Sequence, residues 1–236
     1  EEGAEARPVR SDQALLRLAH ALELAGEIEG ADRALREVLN GEEELSVGLA
    51  NLGLARLAAL RGQVAEARSG AQQALELLGR LSGRQALRSL LEGALLLQQL
   101  GETAAGPLAR AAAGLTQLGD LAGAAQAHLA LNQHQETALQ ILLQPQNAGE
   151  LAPTASWLMP RLLTQPATPL LQRALSALVR EGPAEIARLL DQGRLPAAAR
   201  LRLVGVLQSE GLVMQPLLRR LHGDAEVEVQ KAAAAA

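Results

Sequence analysis

Phenylalanine, tyrosine and cysteine do not occur in this chain, and tryptophan occurs once, at Trp157. The missing aromatics dictate the kind of core available. With 48% of the 236 residues hydrophobic, the interior must be assembled from Leu, Ala and Val. Small side chains suit closely spaced helices, whereas strands favour β-branched and aromatic residues, so an all-α chain is expected. The missing cysteines exclude disulfides and thiolate metal sites without naming a compartment. No charge-free run of about 18 apolar residues exists, so no membrane-spanning helix is expected. No signal peptide is visible either, and a cytoplasmic location is the expectation that follows. Lysine is nearly missing too: Lys231 is the only one. The arginine that replaces it reads as codon usage rather than as a functional mark.

The net charge of −4 argues against a general nucleic-acid coat, which needs a basic balance. Residues 1–152 carry 12 Lys/Arg against 19 Asp/Glu, and residues 153–236 carry 10 against 7, so the parts hold −7 and +3. Such an asymmetry is ordinary between protein surfaces and leaves an acidic partner for the basic part open. The chain begins EEGAEARP, without methionine, and ends VEVQKAAAAA in mid-helix, which reads as a piece of something longer.

What is present is helical periodicity, almost throughout. It predicts helices near 12–25, 28–40, 43–60, 64–79, 84–100, 103–117, 121–131 and 134–143. Turns fall at Gly26, Gly41, Gly62, Gly83, Gly101 and Gly119, where glycine can take the left-handed conformation that ends a helix. Gln144–Pro153, QPQNAGELAP, lacks periodicity and concentrates Pro, Asn and Gly, the best candidate for a linker. Beyond it, helices are expected near 154–164, 168–181, 184–191, 196–209 and 212–221, with a last one from about Val227. Pro153, Pro169, Pro183 and Pro196 stand at or just before their starts, where a missing N–H costs nothing. Residues 1–11 read as a disordered or linking segment, 12–143 as one helical domain and 154–236 as another.

The turns recur. Gly26 to Gly62 spans 36 residues and Gly62 to Gly101 spans 39, a period proper to stacked helical pairs. Gly101 to Gly119 is half a period. Gly119 therefore either turns the chain between pairs, which is the preferred reading, or marks a slip in register.

Each turn carries a small residue five positions on. The first unit holds Ala19, Leu22, Gly26, Ala31 and RALREVL; the second, Leu54, Ala55, Ala58, Gly62, Ala67 and QQALELL. The third holds Gly93, Ala94, Leu97, Gly101 and Gly106, then ARAAAGL. This pattern over about residues 12–143 resembles the tetratricopeptide repeat (TPR), with Leu and Ala in place of its large aromatics. The longer period is similar to the repeats in sensor modules of bacterial transcription activators. At the other end GDAEVEVQKAAAAA resembles the turn and second helix of a HEAT repeat, through Asp224, Glu226, Glu228, Val229, Lys231 and Ala232. The two resemblances together imply an α-α superhelix, a TPR-like solenoid of helical hairpins continuing into HEAT-like pairs.

Catalytic signatures are missing. No zinc-protease, phosphate-loop or nucleophile-elbow motif occurs, and GLARLAALRG has glycines without a preceding strand. His128 and His134, six apart, do not share one helical face, so a metal pair is not expected. Glu42, Glu43 and Glu44 sit at a helix start, where they favour its dipole. Arg194, Arg200, Arg202, Arg219 and Arg220 form either a basic patch or a solvated face.

The resemblance implies a concave groove lined by the first helix of each pair. Residues thirteen, ten, six and three before each turn glycine lie on one stripe. They are Gln13, Leu16, His20 and Glu23; Leu49, Leu52, Arg56 and Ala59; and Arg88, Leu91, Leu95 and Gln98. The complementary stripe, with Leu15, Leu18, Ala19 and Leu22 in its first copy, is smaller and more apolar. A mixed stripe suits an amphipathic helix or extended peptide, while its leucines are equally readable as core. The expected function is a non-catalytic protein-interaction scaffold, without metal or cofactor, whose partner is a protein or peptide. Direct nucleic-acid contact is not expected, and the oligomeric state is open. The other reading is the regulatory module of a bacterial transcription activator or signalling protein.

Overall fold

The computed structural model describes residues 11–193, 195–210, 215–224 and 226–235. The described residues contain fourteen α-helices and no strand. They fall into two compact units, one ending at Gly119 and one beginning at Asp120.

The first unit holds α1 (Asp12–Leu24), α2 (Ile28–Val38), α3 (Glu44–Leu60), α4 (Val64–Leu78), α5 (Arg84–Gln99) and α6 (Ala105–Gln117). They pair as hairpins: α1 with α2, α3 with α4 and α5 with α6. The first helices of the pairs also meet one another, α1 against α3 and α3 against α5. Each second helix packs on the first helix of the next pair, α2 on α3 and α4 on α5. Alanine and glycine make that approach possible. Ala31, Ala67, Ala71 and Ala74 are fully buried. A Cβ on Gly53 would come within 2.9 Å of the Leu35 side chain, and one on Gly93 within 3.0 Å of Leu75.

Each hairpin turns on one left-handed residue. Gly26, Gly62 and Gly101 have φ of 79°, 75° and 83°. The next N–H returns to the helix five residues back: Glu27 to Leu22 O at 2.8 Å, Gln63 to Ala58 O at 2.9 Å and Glu102 to Leu97 O at 2.9 Å. That six-residue closure satisfies a carbonyl that the helix end would leave open. The expectation of left-handed glycine fails at Gly41 and Gly83. Gly83 is extended, at φ −71° before α5, and Gly41 is not left-handed. Both lie between pairs, where the chain passes from α2 to α3 and from α4 to α5 by a different route.

The second unit holds α7 (Leu121–Ala130), α8 (Gln135–Leu142), a 3-10 helix (Pro145–Glu150), α9 (Leu151–Leu163), α10 (Pro169–Glu181), α11 (Pro183–Asp191), α12 (Ala197–Glu210), α13 (Gln215–His222) and α14 (Val227–Ala234). Its helices form two rows. Odd-numbered helices meet odd ones from α7 to α13, and even-numbered ones meet even ones from α8 to α14. Since α5 pairs with α6 and α7 with α8, Gly119, at φ 72°, turns the chain between pairs. The stretch 144–153, expected to be irregular, is the 3-10 helix running into α9, which starts three residues early. Pro153 is accommodated in its first turn. Asp120 caps α7 by accepting the Gly123 N–H at 3.1 Å, and Thr168 caps α10 through the Leu171 N–H at 3.1 Å.

Candidate functional site

In the first unit, α1, α3 and α5 line one open cavity of about 260 Å³. From α1 come Leu16, Ala19, His20 and Glu23, and from α3 come Leu49, Leu52, Gly53 and Arg56. Gln85 and Glu92 of α5 complete it, with Leu35 of α2 behind.

Its polar centre is a chain of charges across three helices. The Arg56 guanidinium reaches Glu23 Oε2 at 3.1 Å through one terminal nitrogen and Glu92 Oε2 at 3.6 Å through the other. Glu23 is held more deeply, with 21% of its side chain exposed, against 59% for Glu92. Two carboxylates thus share one guanidinium beside an apolar wall of Leu16, Ala19, Leu49 and Leu52.

Six of the stripe residues, Leu16, His20, Glu23, Leu49, Leu52 and Arg56, line this cavity together. Within it His20 is exposed, Leu16 and Leu49 are half-buried, and Leu52 is a floor residue only 1% exposed. Gln13 is exposed on α1, and Ala59 is half-buried on α3; neither lines it. The stripe on α5 departs more. Leu91 and Leu95 are core residues, 1% and 9% exposed, while Arg88 and Gln98 are half-buried outside the lining. Glu92 takes the open place instead. One residue is about 100° around a helix, so counting back from Gly101 points α5 to the wrong face. The sequence did carry a signal: Glu92 is the lone charge in the run Leu90–Leu97, and a charge inside an apolar run marks the open side.

Other candidates resolve into structure. Glu43 precedes α3 and accepts the Ser46 hydroxyl at 2.6 Å, so the acidic run serves a helix start. Arg200 pairs with Asp224 at 2.8 Å, Arg220 pairs with Asp191 at 3.1 Å, and Arg202 donates to Leu163 O at 3.1 Å. These arginines hold their own chain; Arg219 is exposed on α13, and Arg194 lies outside the described residues.

The histidines are brought together after all. Asn132 and His134 both adopt left-handed backbone, φ 56° and 49°, and fold the chain back after α7. The His128 and His134 rings then meet edge to face with centroids 5.2 Å apart. Helical spacing could not show this, because a turn intervenes. Burial of His128, and secondarily the charge of His134, hold its imidazole below the usual histidine range. Among the described residues no group of three or more His, Cys, Asp or Glu is placed to hold a metal ion. None of their helices is long and apolar enough to cross a membrane.

No protein-family model matches this chain, and neither the curated proteins nor the solved structures supply a match. The all-α architecture of stacked, sequence-adjacent helical hairpins is therefore established on the chain's own geometry.

Proposed function

We propose that the first unit is a non-catalytic interaction module that receives a peptide segment of a protein partner along α1, α3 and α5. One observation carries this reading: the first helices of three successive hairpins contribute to one open cavity with an apolar wall and a charged centre. Ligand sites of this kind combine apolar surface with a few polar groups that orient the guest. Stacked pairs present such a face as an extended surface.

The hairpin order of α1 to α6, with three like-built glycine turns, supports the TPR-like assignment. The two-row packing of α7 to α14 supports a HEAT-like one, together with Asp224. That side chain accepts the Glu226 N–H at 2.9 Å and binds Arg200.

The test is direct binding. Dodecamer peptides selected from a random phage-displayed library against the full chain are titrated by fluorescence anisotropy. Leu49→Gln places an uncharged amide on the half-buried apolar wall, while Leu52 and Leu91 are too buried to be informative. The expected outcome is at least a tenfold loss of affinity, about 1.4 kcal/mol, with unchanged helical circular dichroism. Selected peptides that bind the variant as well as the parent would exclude this face.

A further inference from the structure

We infer that the cavity selects a peptide carrying a basic side chain, arginine or lysine, next to an apolar anchor. The inference rests on the peptide-binding reading above and adds the chemistry of the guest.

The charge count within the cavity is unequal. Glu23 and Glu92 contribute two carboxylates, and Arg56 is the only Lys or Arg among the described lining residues. Arg56 is not equally committed to both. Its contact with the more buried Glu23 is at hydrogen-bonding distance, 3.1 Å, whereas Glu92 stands off at 3.6 Å. A carboxylate accepts up to about four hydrogen bonds, so Glu92 keeps acceptor capacity on a side chain 59% open to solvent. An incoming guanidinium or ammonium would engage Glu92 beside Arg56 and cancel the surplus negative charge. An incoming carboxylate would have to compete with Glu23 and Glu92 for a guanidinium they already hold.

The apolar part fixes the spacing. Leu16, Ala19 and Leu49 adjoin the same opening. About 260 Å³ takes one aliphatic side chain and the stem of a basic one, not a folded domain. Long basic side chains lay their methylenes along apolar surface and keep the charge at its edge, and this opening is lined by both the apolar Leu49 and the exposed carboxylate of Glu92.

The peptide selection distinguishes the outcomes. Peptides whose binding Leu49→Gln weakens at least tenfold are expected to be enriched in Arg or Lys. For these, Glu92→Gln is expected to weaken binding about three- to tenfold, as does raising the salt from about 0.05 M to about 0.5 M. Circular dichroism of Glu92→Gln should be unchanged, since the substituted group is exposed. Leu49-sensitive peptides that lack basic residues, or that bind Glu92→Gln with parental affinity, overturn the inference and leave the groove reading standing. Acidic peptides lost on Arg56→Gln overturn it the same way. A selection yielding no Leu49-sensitive peptide removes the groove reading, and the inference with it.

Discussion

At the scale of single residues, left-handed positions separate what the sequence displays from what it conceals. Gly26, Gly62 and Gly101 were legible because glycine alone takes φ near +75° without cost. The fourth hairpin, α7 to α8, uses Asn132 for the same closure, with the Gln133 N–H reaching His128 O at 2.8 Å. Asparagine is common enough elsewhere that nothing announced this one. Gly62→Ala is expected to lower stability by about 1–2 kcal/mol, read as a shift in denaturant midpoint. Space is not the cause, since no atom lies within 4 Å of a Cβ there. His128 makes a second residue-level prediction. Its pKa is depressed in the folded chain, so the unfolded chain binds the proton more readily. Stability is then intact above the ordinary histidine pKa and declines as pH falls through it. The melting temperature is expected to be lower at about pH 5.5 than at about pH 7.5, and His128→Gln should narrow that difference.

At the scale of elements, periodicity placed the helices because Leu and Ala recur at helical spacing; the start of α9 moved where the 3-10 segment runs into it, and the expected start at 212 lies outside the described residues. Rotation about the helix axis was less legible, as α5 shows, because its buried side is the one where Gly93 lies close to Leu75 of α4 and Leu52 of α3, which distance from Gly101 does not mark. The arginine bias also gains a structural use that composition hides. Arg68 on α4 donates to Leu100 O at 2.6 Å and pairs with Glu102 at 3.2 Å. Arg110 on α6 reaches Leu81 O at 3.3 Å, and Arg161 on α9 reaches Ala130 O at 3.3 Å. At Leu100 and Ala130 the guanidinium completes a helix C-terminus and complements its dipole, while Arg110 ties down the link between α4 and α5. Arg68→Ala is expected to cost about 1 kcal/mol, measured by urea denaturation. Arg68→Lys should restore only part, because one ammonium cannot span a carbonyl and a carboxylate as a planar fork does.

At the scale of the molecule, contacts concentrate on either side of Gly119, although composition breaks at 144–153. Proline, asparagine and glycine mark irregular backbone, but they do not measure how many neighbours a segment has; the 3-10 helix packs on both α8 and α9. Segments 11–119 and 120–236, expressed separately, are each expected to show helical circular dichroism and a cooperative melt. A fragment lacking either would show that its unit needs the remainder of the chain. The missing aromatics have one last consequence. Trp157, buried on α9 with the Arg161 guanidinium 5.4 Å from its ring centre, is the chain's only indole, and there is no phenol. Near-ultraviolet absorbance therefore counts molecules through one chromophore, and intrinsic fluorescence reports on a single address. A tryptophan or tyrosine carried by a peptide ligand would stand out against an almost dark background, so the guest proposed for the first unit could be followed by its own light.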